Sequence, residues 1–374
     1  MKQLTAQEAA RFLVKKQGLN GERSYHKKEG VLSFLRGAGC VQTDEVDLCG
    51  KAHELTLLSR VDGLSRPLLK EMLYQDHTLR KIPDKGLGLI ADSDLSLYPE
   101  VRKTFSDYLK ARPEAHRLGE EMKEKAQKEG FLRREDWTQP GAKAVLEALC
   151  YSGILAQSLT EEGQLCYVPD PGNRENFPFE NDEERLCARV WRRIGGAGLL
   201  SDLSGEAWLG IPGLTPGNRS RIFARLLQEE AIFPLRVEGI SYPLYCLAED
   251  VPLLTEPSDF NERTIRLLSP LDNLLWDRKL IAAIFHFTCK WEYNTPPEQR
   301  EFGAYVLPLL KGSAFAGRIE PVFDSGCLQV RAFWPEKGFT GDNRFWWSVE
   351  DEVYRLCRFL GGSQVRWENG WMRG

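Results

Sequence analysis

Apolar residues recur along this chain at two spacings, every three or four positions over helical lengths and every second position over short extended ones. The stretch 5–18 begins with Thr5 as a helix cap and Glu8 three residues later, and it stops at Gly18, so it predicts a helix. Four further elements follow in order: a helix in 28–39, an extended piece in 40–44, a helix in 65–79 and a hairpin in 80–94. This order is typical of a winged helix.

A helix followed by a hairpin is predicted twice more. Residues 97–129 indicate a long charged helical region broken near Pro113, and a helix running to Gly153 then precedes two short strands around the turn 160–164. In the third instance the helices and paired strands lie in 182–198, 203–211, 216–231, 233–239 and 240–249. Three similar units indicate a tandem array of winged helices.

The last third of the chain has a different residue pattern. Runs of strand-forming residues separated by turn residues predict a small β-barrel or sheet, with strands in 289–295, 303–312, 314–324 and 327–335, and a helix capped by Ser348 ends at Gly361. We therefore predict an α+β fold of three tandem winged-helix units, a β-rich domain and a terminal helix. The predicted divisions are 1–112, 113–180 with a linker near 169–181, 181–255, 256–340 and 341–374.

Composition narrows the class of protein. The length of 374 residues exceeds one ordinary domain of roughly 100 to 200 residues, which agrees with several units. No window approaches the roughly 20 apolar residues of a membrane span, and the first 16 residues are too charged for a signal peptide, so we expect a cytoplasmic protein with no membrane partner. The nine cysteines are scattered singly and the five histidines lie far apart, which predicts neither disulfides nor a metal.

The charge leaves a nucleic-acid partner open. A net charge of −4 argues against phosphate binding, but arginines recur on one face of the helix in 182–198, at positions 185, 189, 192 and 193. They form either a basic strip or a solvated helix face with dispersed salt bridges. In a DNA-binding winged helix, the helix from Pro216 would be the recognition helix, with arginines at 219, 221 and 225. The alternative is an amphipathic core helix with a polar side.

The extended piece in 40–44 carries the candidate chemistry. Alternate residues of a strand share a face, so Gln42 and Asp44 project together while Thr43 points the other way. An ionised carboxylate can accept a proton from water or stabilise positive charge, and a neighbouring amide can hold that water, which suits hydrolysis through a cation-like transition state. The alternative is that Asp44 caps a following helix, with Glu45 and Asp47 in its first turn.

Three segments together resemble one known family. They are "CVQTDEVDLCGKAHELTLLSRV" (40–61), "LLSPLDNLLWDRKLIAAIFHFTCKWEYNTPPEQREFGAYVLPLLKG" (267–312) and "AGRIEP" (316–321). They resemble the bacterial AlkZ/YcaQ family of winged-helix DNA glycosylases, which remove alkylated bases and unhook interstrand crosslinks. The stretch Leu268 to Arg278 is the most specific part, and the resemblance extends from the first helix to about residue 336.

The resemblance implies a C-shaped protein that holds double-stranded DNA in a concave channel, without a cofactor. The family's Gln-Φ-Gln or Gln-Φ-Asp pair corresponds to Gln42-Thr43-Asp44, which places the chain nearer the YcaQ-like branch. Asp44 would stabilise the oxocarbenium-like sugar and deprotonate water that Gln42 orients. Glu45 and Asp47 would cap the following helix. Candidate DNA contacts are Lys51, His53, Arg60, Arg192, Arg193, Arg219 and Arg221.

Two points limit the transfer of function from the family. Many relatives have an aromatic-His pattern where this chain has 80–94, so the role of that histidine does not carry over. This difference leaves open a third interpretation, an enzyme of the same fold that acts on a different nucleic-acid lesion. Winged helices also bind DNA more often than they cut it, so a non-catalytic DNA-binding protein or regulator is the competing interpretation. We expect a monomer in either case.

Overall fold

The computed structural model describes residues 1–172, 179–254 and 260–368. Short 3₁₀ segments connect several of the regular elements. The α-helices are α1 (Ala6–Lys16), α2 (Lys27–Ala38), α3 (Ala52–Leu58), α4 (Arg66–Tyr74), α5 (Pro99–Ala111), α6 (Pro113–Glu129), α7 (Ala142–Tyr151), α8 (Asp182–Ala197), α9 (Pro216–Gln228), α10 (Arg278–Phe285) and α11 (Asn343–Phe359).

The strands form several small sheets. They are β1 (Lys2–Leu4), β2 (Tyr25–His26), β3 (Val41–Thr43), β4 (Val61–Asp62), β5 (Leu79–Asp84), β6 (Gly86–Ala91), β7 (Leu155–Leu159), β8 (Leu165–Pro169), β9 (Ile232–Val237), β10 (Leu244–Leu247), β11 (Ile265–Leu267), β12 (Leu307–Lys311), β13 (Ala314–Asp324), β14 (Cys327–Pro335) and β15 (Gln364–Trp367). The sheet orders are β3-β6-β5, β1-β9-β10 and β11-β12-β13-β14-β15, with the pairs β2-β4 and β7-β8.

The first helix-and-hairpin unit runs from α2 to β6. Its hairpin turns at Lys85-Gly86, where Gly86 has a φ of +67°, and β3 pairs antiparallel with β6 so that Gln42 lies opposite Gly88. Ser65 caps α4 by accepting a hydrogen bond from the Leu68 amide. The hairpin predicted in 80–94 and the extended piece at 41–43 are confirmed.

The predicted N-terminal helix is present and packs against distant parts of the chain. Thr5 and Glu8 form the expected capping box of α1. Strand β1, which the sequence did not predict, pairs in parallel with β9, and α1 shares a core with the third unit and with α10. Helix α1 therefore joins residues far along the chain, because its apolar face is buried there and not against α2.

The second and third units have the predicted order. Helices α5 and α6 meet at Pro113, α7 leads into the hairpin β7-β8, and α8 and α9 lead into β9-β10. Thr215 caps α9 and Pro216 occupies its first turn. The boundary expected near 169–181 includes residues 173–178, which lie outside the described ranges.

The C-terminal half is an open sheet with one helix across it. The strands predicted in 303–335 are present, but residues 289–295 form no strand. Helix α11 begins at Asn343 after the cap Asp342, six residues before the expected cap Ser348, and β15 returns to pair in parallel with β14. This sheet and α11 share one hydrophobic core with α2, α3 and α4, so the packing crosses the predicted divisions. The division at 255/256 lies at residues outside the described ranges, and the domain scheme stays a prediction.

No helix within the described ranges is long and apolar enough to span a bilayer.

Candidate active site

Gln42 and Asp44 lie at the end of β3. Gln42 is half-buried on the strand, and its amide nitrogen would lie 3.2 Å from a Cβ at Gly86. Because Gly86 and Gly88 have no side chains, the hairpin leaves the face of β3 around Gln42 uncovered. Thr43 points into the protein, where its hydroxyl lies 2.5 Å from Nδ1 of His53. The inward side chain of Thr43 agrees with the alternation expected along β3, which ends at this residue, and Asp44 follows directly in the turn.

The carboxylate of Asp44 is half-buried and incompletely bonded. Its Oδ1 accepts a hydrogen bond of 2.6 Å from the Val46 amide. Its Oδ2 is buried and has no hydrogen-bond partner within the part of the chain that the structure describes. Burial raises the pKa of Asp44 above its usual value; the Val46 amide opposes this shift, and the Glu45 carboxylate adds to it. One oxygen of this carboxylate is thus left without a hydrogen bond to any described residue.

The alternative role for Asp44, as a helix cap, is wrong. Residues 45–50 form an irregular turn, and α3 begins only at Ala52. The helix is capped from within, since Glu54 accepts a hydrogen bond of 2.9 Å from the Lys51 amide. Asp47 instead accepts from the Gly50 amide and pairs with Arg66 at 2.8 Å, so the expected capping roles of Glu45 and Asp47 are also wrong.

Tyr305 supports the turn that carries Asp44, and the sequence did not single it out. It lies fully buried just before β12, and its hydroxyl donates a hydrogen bond of 3.0 Å to the carbonyl of Gly50. Burial raises the pKa of Tyr305 well above its ordinary value, and the Cys49 thiol and the Asp44 carboxylate add to the shift. The C-terminal half of the chain therefore supports the turn that carries Asp44.

His53 does not face a ligand. Its ring is buried on α3, and burial lowers its pKa to about 3, with Lys81 and Lys51 adding to the shift. The ring is neutral at physiological pH and holds Thr43 in place. Its predicted role as a DNA contact is corrected to a structural one.

Arg60 is the largest fully buried side chain in the described ranges. Its guanidinium pairs with both oxygens of Asp272 at 2.7 Å, donates to the carbonyls of Gln17 and Thr56, and lies 4.9 Å from the Phe34 ring centroid. No part of it reaches the surface. The prediction that Arg60 contacts phosphate is corrected to a role in joining α1, α3 and the segment before α10.

The arginines of α8 pair with acidic groups around the first hairpin. Arg189 and Arg193 are buried and both pair with Asp84, the last residue of β5, while Arg192 pairs with Asp94. Burial acts to raise the pKa of Asp84, but the two arginines and the Tyr98 hydroxyl hold it below its usual value.

Farther along the same face, Arg185 and Arg189 lie 3.5 and 3.6 Å from Glu100 of α5. The strip is thus neither a free basic surface nor a solvated face. It is a buried ion-pair network between α8, the hairpin and α5, and Arg193 is removed from the candidate phosphate contacts.

The remaining basic candidates are accessible to different degrees. Lys51 pairs with the exposed Glu45 at 3.1 Å, and Arg192 is mostly covered. Arg219 lies 5.7 Å from the Trp208 ring centroid and its buried Nε has no partner among the described residues. Arg221 is 69% exposed, and its ion pair with Glu183 is long, at 3.8 Å. It is therefore the most accessible of these four basic candidates.

The described residues contain no group of three or more histidine, cysteine, aspartate or glutamate side chains placed to hold a metal ion.

Comparison with known proteins identifies the family. The model for "DNA glycosylase AlkZ-like" proteins matches residues 35–359, which include the turn with Asp44, Tyr305 and α11. The chain belongs to the AlkZ-like DNA glycosylase family. This membership assigns it to the glycosylases, which are hydrolases that act on DNA.

A solved structure shows the same fold. Streptomyces sahachiroi DNA glycosylase AlkZ superposes with a TM-score of 0.67 at 17% sequence identity, and the match covers 100% of both chains. At this identity the likeness concerns the fold alone. It supports the mixed α+β architecture over the full length of this AlkZ-like chain.

Proposed function

We propose that this AlkZ-like protein is a monofunctional glycosylase for cationic N7-alkylated purines in double-stranded DNA, including purines in interstrand crosslinks. The observation that carries the proposal is the buried Oδ2 of Asp44, which has no partner among the described residues and belongs to the residue directly after the strand of Gln42. A carboxylate left in this state loses solvation without gaining a hydrogen bond. A positively charged sugar or a water molecule would supply the missing interaction.

The chemistry needs only one carboxylate. Alkylation at N7 gives the purine a formal positive charge, so the base leaves without a strong general acid. The sugar then develops oxocarbenium character, as in glycoside hydrolysis. The ionised Asp44 stabilises that charge and takes the proton of the attacking water, and Gln42 orients the water. Bond cleavage by hydrolysis requires no amine nucleophile, which is why the proposed enzyme is monofunctional.

The proposed DNA interface follows from the order of elements. We interpret the three helix-and-hairpin units as winged helices along a concave channel, with the turn of Asp44 at its centre and the protein acting as a monomer. Lys51, Arg192, Arg219 and Arg221 supply the candidate phosphate contacts.

A non-catalytic DNA-binding protein is the competing function. A purely helix-capping role for Asp44 would support that interpretation, because it would explain the carboxylate without catalysis. The Val46 amide occupies only one oxygen of Asp44, and α3 begins as late as Ala52, so no helix cap accounts for the second oxygen, which favours the enzyme.

The test is single-turnover release of N7-methylguanine, and unhooking of a nitrogen-mustard crosslink, by wild type and by Asp44→Asn. Asparagine keeps the shape and removes the charge, so a loss of roughly 3 kcal/mol of transition-state stabilisation would lower the rate about a hundredfold. Asp47→Asn is the matched control, because it makes the same change three residues away on a carboxylate that pairs with Arg66.

We expect a large loss for Asp44→Asn, no comparable loss for Asp47→Asn, and unchanged DNA affinity for both. Equal rates for the two variants would remove Asp44 from the mechanism. No release from either substrate by a wild type that binds DNA would favour the regulator or an enzyme for another lesion.

A further inference from the structure

A cleft lies between the first and second units, beside the proposed active site. Its volume is about 140 Å³, and it is bounded by α4, the hairpin β5-β6, α7 and the hairpin β7-β8. Tyr74, Tyr151 and Tyr167 line it together with leucine side chains, and Glu45, the neighbour of Asp44, lies at its edge. Ser158 donates a hydrogen bond of 2.9 Å to the carbonyl of Tyr74, which ties the two units together at the cleft.

Lys81 of β5 brings a positive charge into this cleft. Its ammonium has no ion pair or hydrogen bond with any residue that the structure describes. Burial lowers the pKa of Lys81, and Glu45 acts in the opposite direction. A partly desolvated ammonium without a partner is unfavourable unless a bound anion or acceptor compensates it.

The other charged groups of the cleft are already paired. Arg80 pairs with Asp92 at 2.8 Å and with Asp170 at 2.7 Å. Glu45 pairs with Lys51 at 3.1 Å, and Glu147 lies 3.7 Å from Lys143 on the same helix. Among the charged side chains that line the cleft, Lys81 is therefore the one for which no ion pair is found within the described residues.

The tyrosine side chains that line the cleft offer a second kind of contact to a ligand. Tyr151 is supported from behind by Phe105, with ring centroids 4.8 Å apart, so its ring is held in position. An aromatic surface beside a cation is the combination that proteins use for a nucleotide, in which the base stacks on the ring and the phosphate accepts from the cation.

We propose that this cleft is a subsite for one nucleotide of the bound DNA, with the base against Tyr151 and the phosphate on the Lys81 ammonium. The proposal rests on the function proposed above, since it places the subsite next to Asp44 through Glu45. It adds a DNA contact that the sequence analysis did not predict, because the residues next to Lys81 do not distinguish it from the other lysines.

The experiment measures the affinity of the full-length protein for a duplex with a tetrahydrofuran abasic site, over a range of salt concentrations. Lys81→Met should reduce the slope of log K against log salt by about 0.9, the value for one lost phosphate contact. Lys81→Arg should keep the slope. Tyr151→Leu should weaken binding roughly fivefold to a hundredfold, as for loss of one stacked base.

Lys128→Met, an exposed lysine on α6, is the matched control for charge and should leave the slope unchanged. A slope for Lys81→Met equal to that of Lys128→Met, or wild-type affinity for Tyr151→Leu, would overturn the subsite. This experiment measures binding and not base release. A wild type that binds DNA but releases no base would therefore contradict the proposed chemistry, and the salt slopes would still test the subsite. Absence of DNA binding by the wild type would overturn both proposals.

Discussion

Removing the charge of Asp272 should destabilise the protein far more than removing the charge of a similar but exposed aspartate. The ion pair between Arg60 and Asp272 is fully buried, with both side chains at 0% exposure and both oxygens of the carboxylate 2.7 Å from the guanidinium. In Asp272→Asn, an amide donor would face the guanidinium and the positive charge would have no counterion. Asparagine can still accept from the Leu274 amide, so the local turn is preserved.

The expected magnitude follows from burial. Breaking one partner of a buried pair costs about 3 to 5 kcal/mol, because the remaining charge cannot regain its hydration. Arg60 keeps neutral acceptors on Gln17, Thr56 and Ser59, which places the expected loss toward the lower end. The loss reaches the whole fold, since this pair connects residues that are 212 positions apart in the chain.

Asp62→Asn is the control. Arg355 donates from two nitrogens to Asp62 at 3.1 Å, but the Asp62 side chain is 54% exposed. Solvent and salt weaken such a pair, so we expect a cost of about 0 to 1 kcal/mol. Both variants are measured by urea unfolding at neutral pH, followed by tryptophan fluorescence and far-UV circular dichroism.

The reasoning would be refuted if Asp272→Asn unfolded at the same urea concentration as Asp62→Asn. The coincidence of the two optical probes is part of the measurement, because a free energy of unfolding requires a single cooperative transition.

Further predictions concern pH and charge. The release rate should fall as the pH is lowered through the pKa of Asp44, which burial places above its usual 3.8, because a protonated carboxyl cannot stabilise a cation; a flat pH profile in single-turnover assays would contradict this. His53 titrates near 6.5 when unfolded and at about 3 when folded, so stability should fall by about 1.4 kcal/mol per pH unit below 6.5. Urea unfolding at about pH 7.5 and about pH 5.5 should show this loss in wild type and not in His53→Gln. Arg221→Gln should lower the salt slope of DNA binding by about 0.9, and an unchanged slope would remove it from the interface.

The local pattern was sufficient for most helices and hairpins. The capping box at Thr5, the cap at Thr215 with Pro216, the break at Pro113 and the turn at Gly86 all act within a few residues. The inward orientation of Thr43 also follows from strand alternation alone.

Burial and distant pairing were decided by the tertiary structure. Arg60, Arg193 and His53 look like ordinary surface candidates in the sequence, since charge and spacing do not state what packs over a side chain. The partners of Arg60 and Arg193 are Asp272 and Asp84, which lie far along the chain and neutralise them in the core.

The sequence by itself determined the order of most helices and hairpins, the presence of Gln42 and Asp44 around the end of β3, and the resemblance to the AlkZ-like family. Only the tertiary structure decided that β1 pairs with β9 and that Oδ2 of Asp44 is buried without a hydrogen bond among the described residues. It also decided that Lys81 lines a cleft together with tyrosine side chains. The physical reason is the range of the interactions. Caps, turns and alternation act between near neighbours, whereas desolvation and ion pairing depend on every segment that surrounds a group in space.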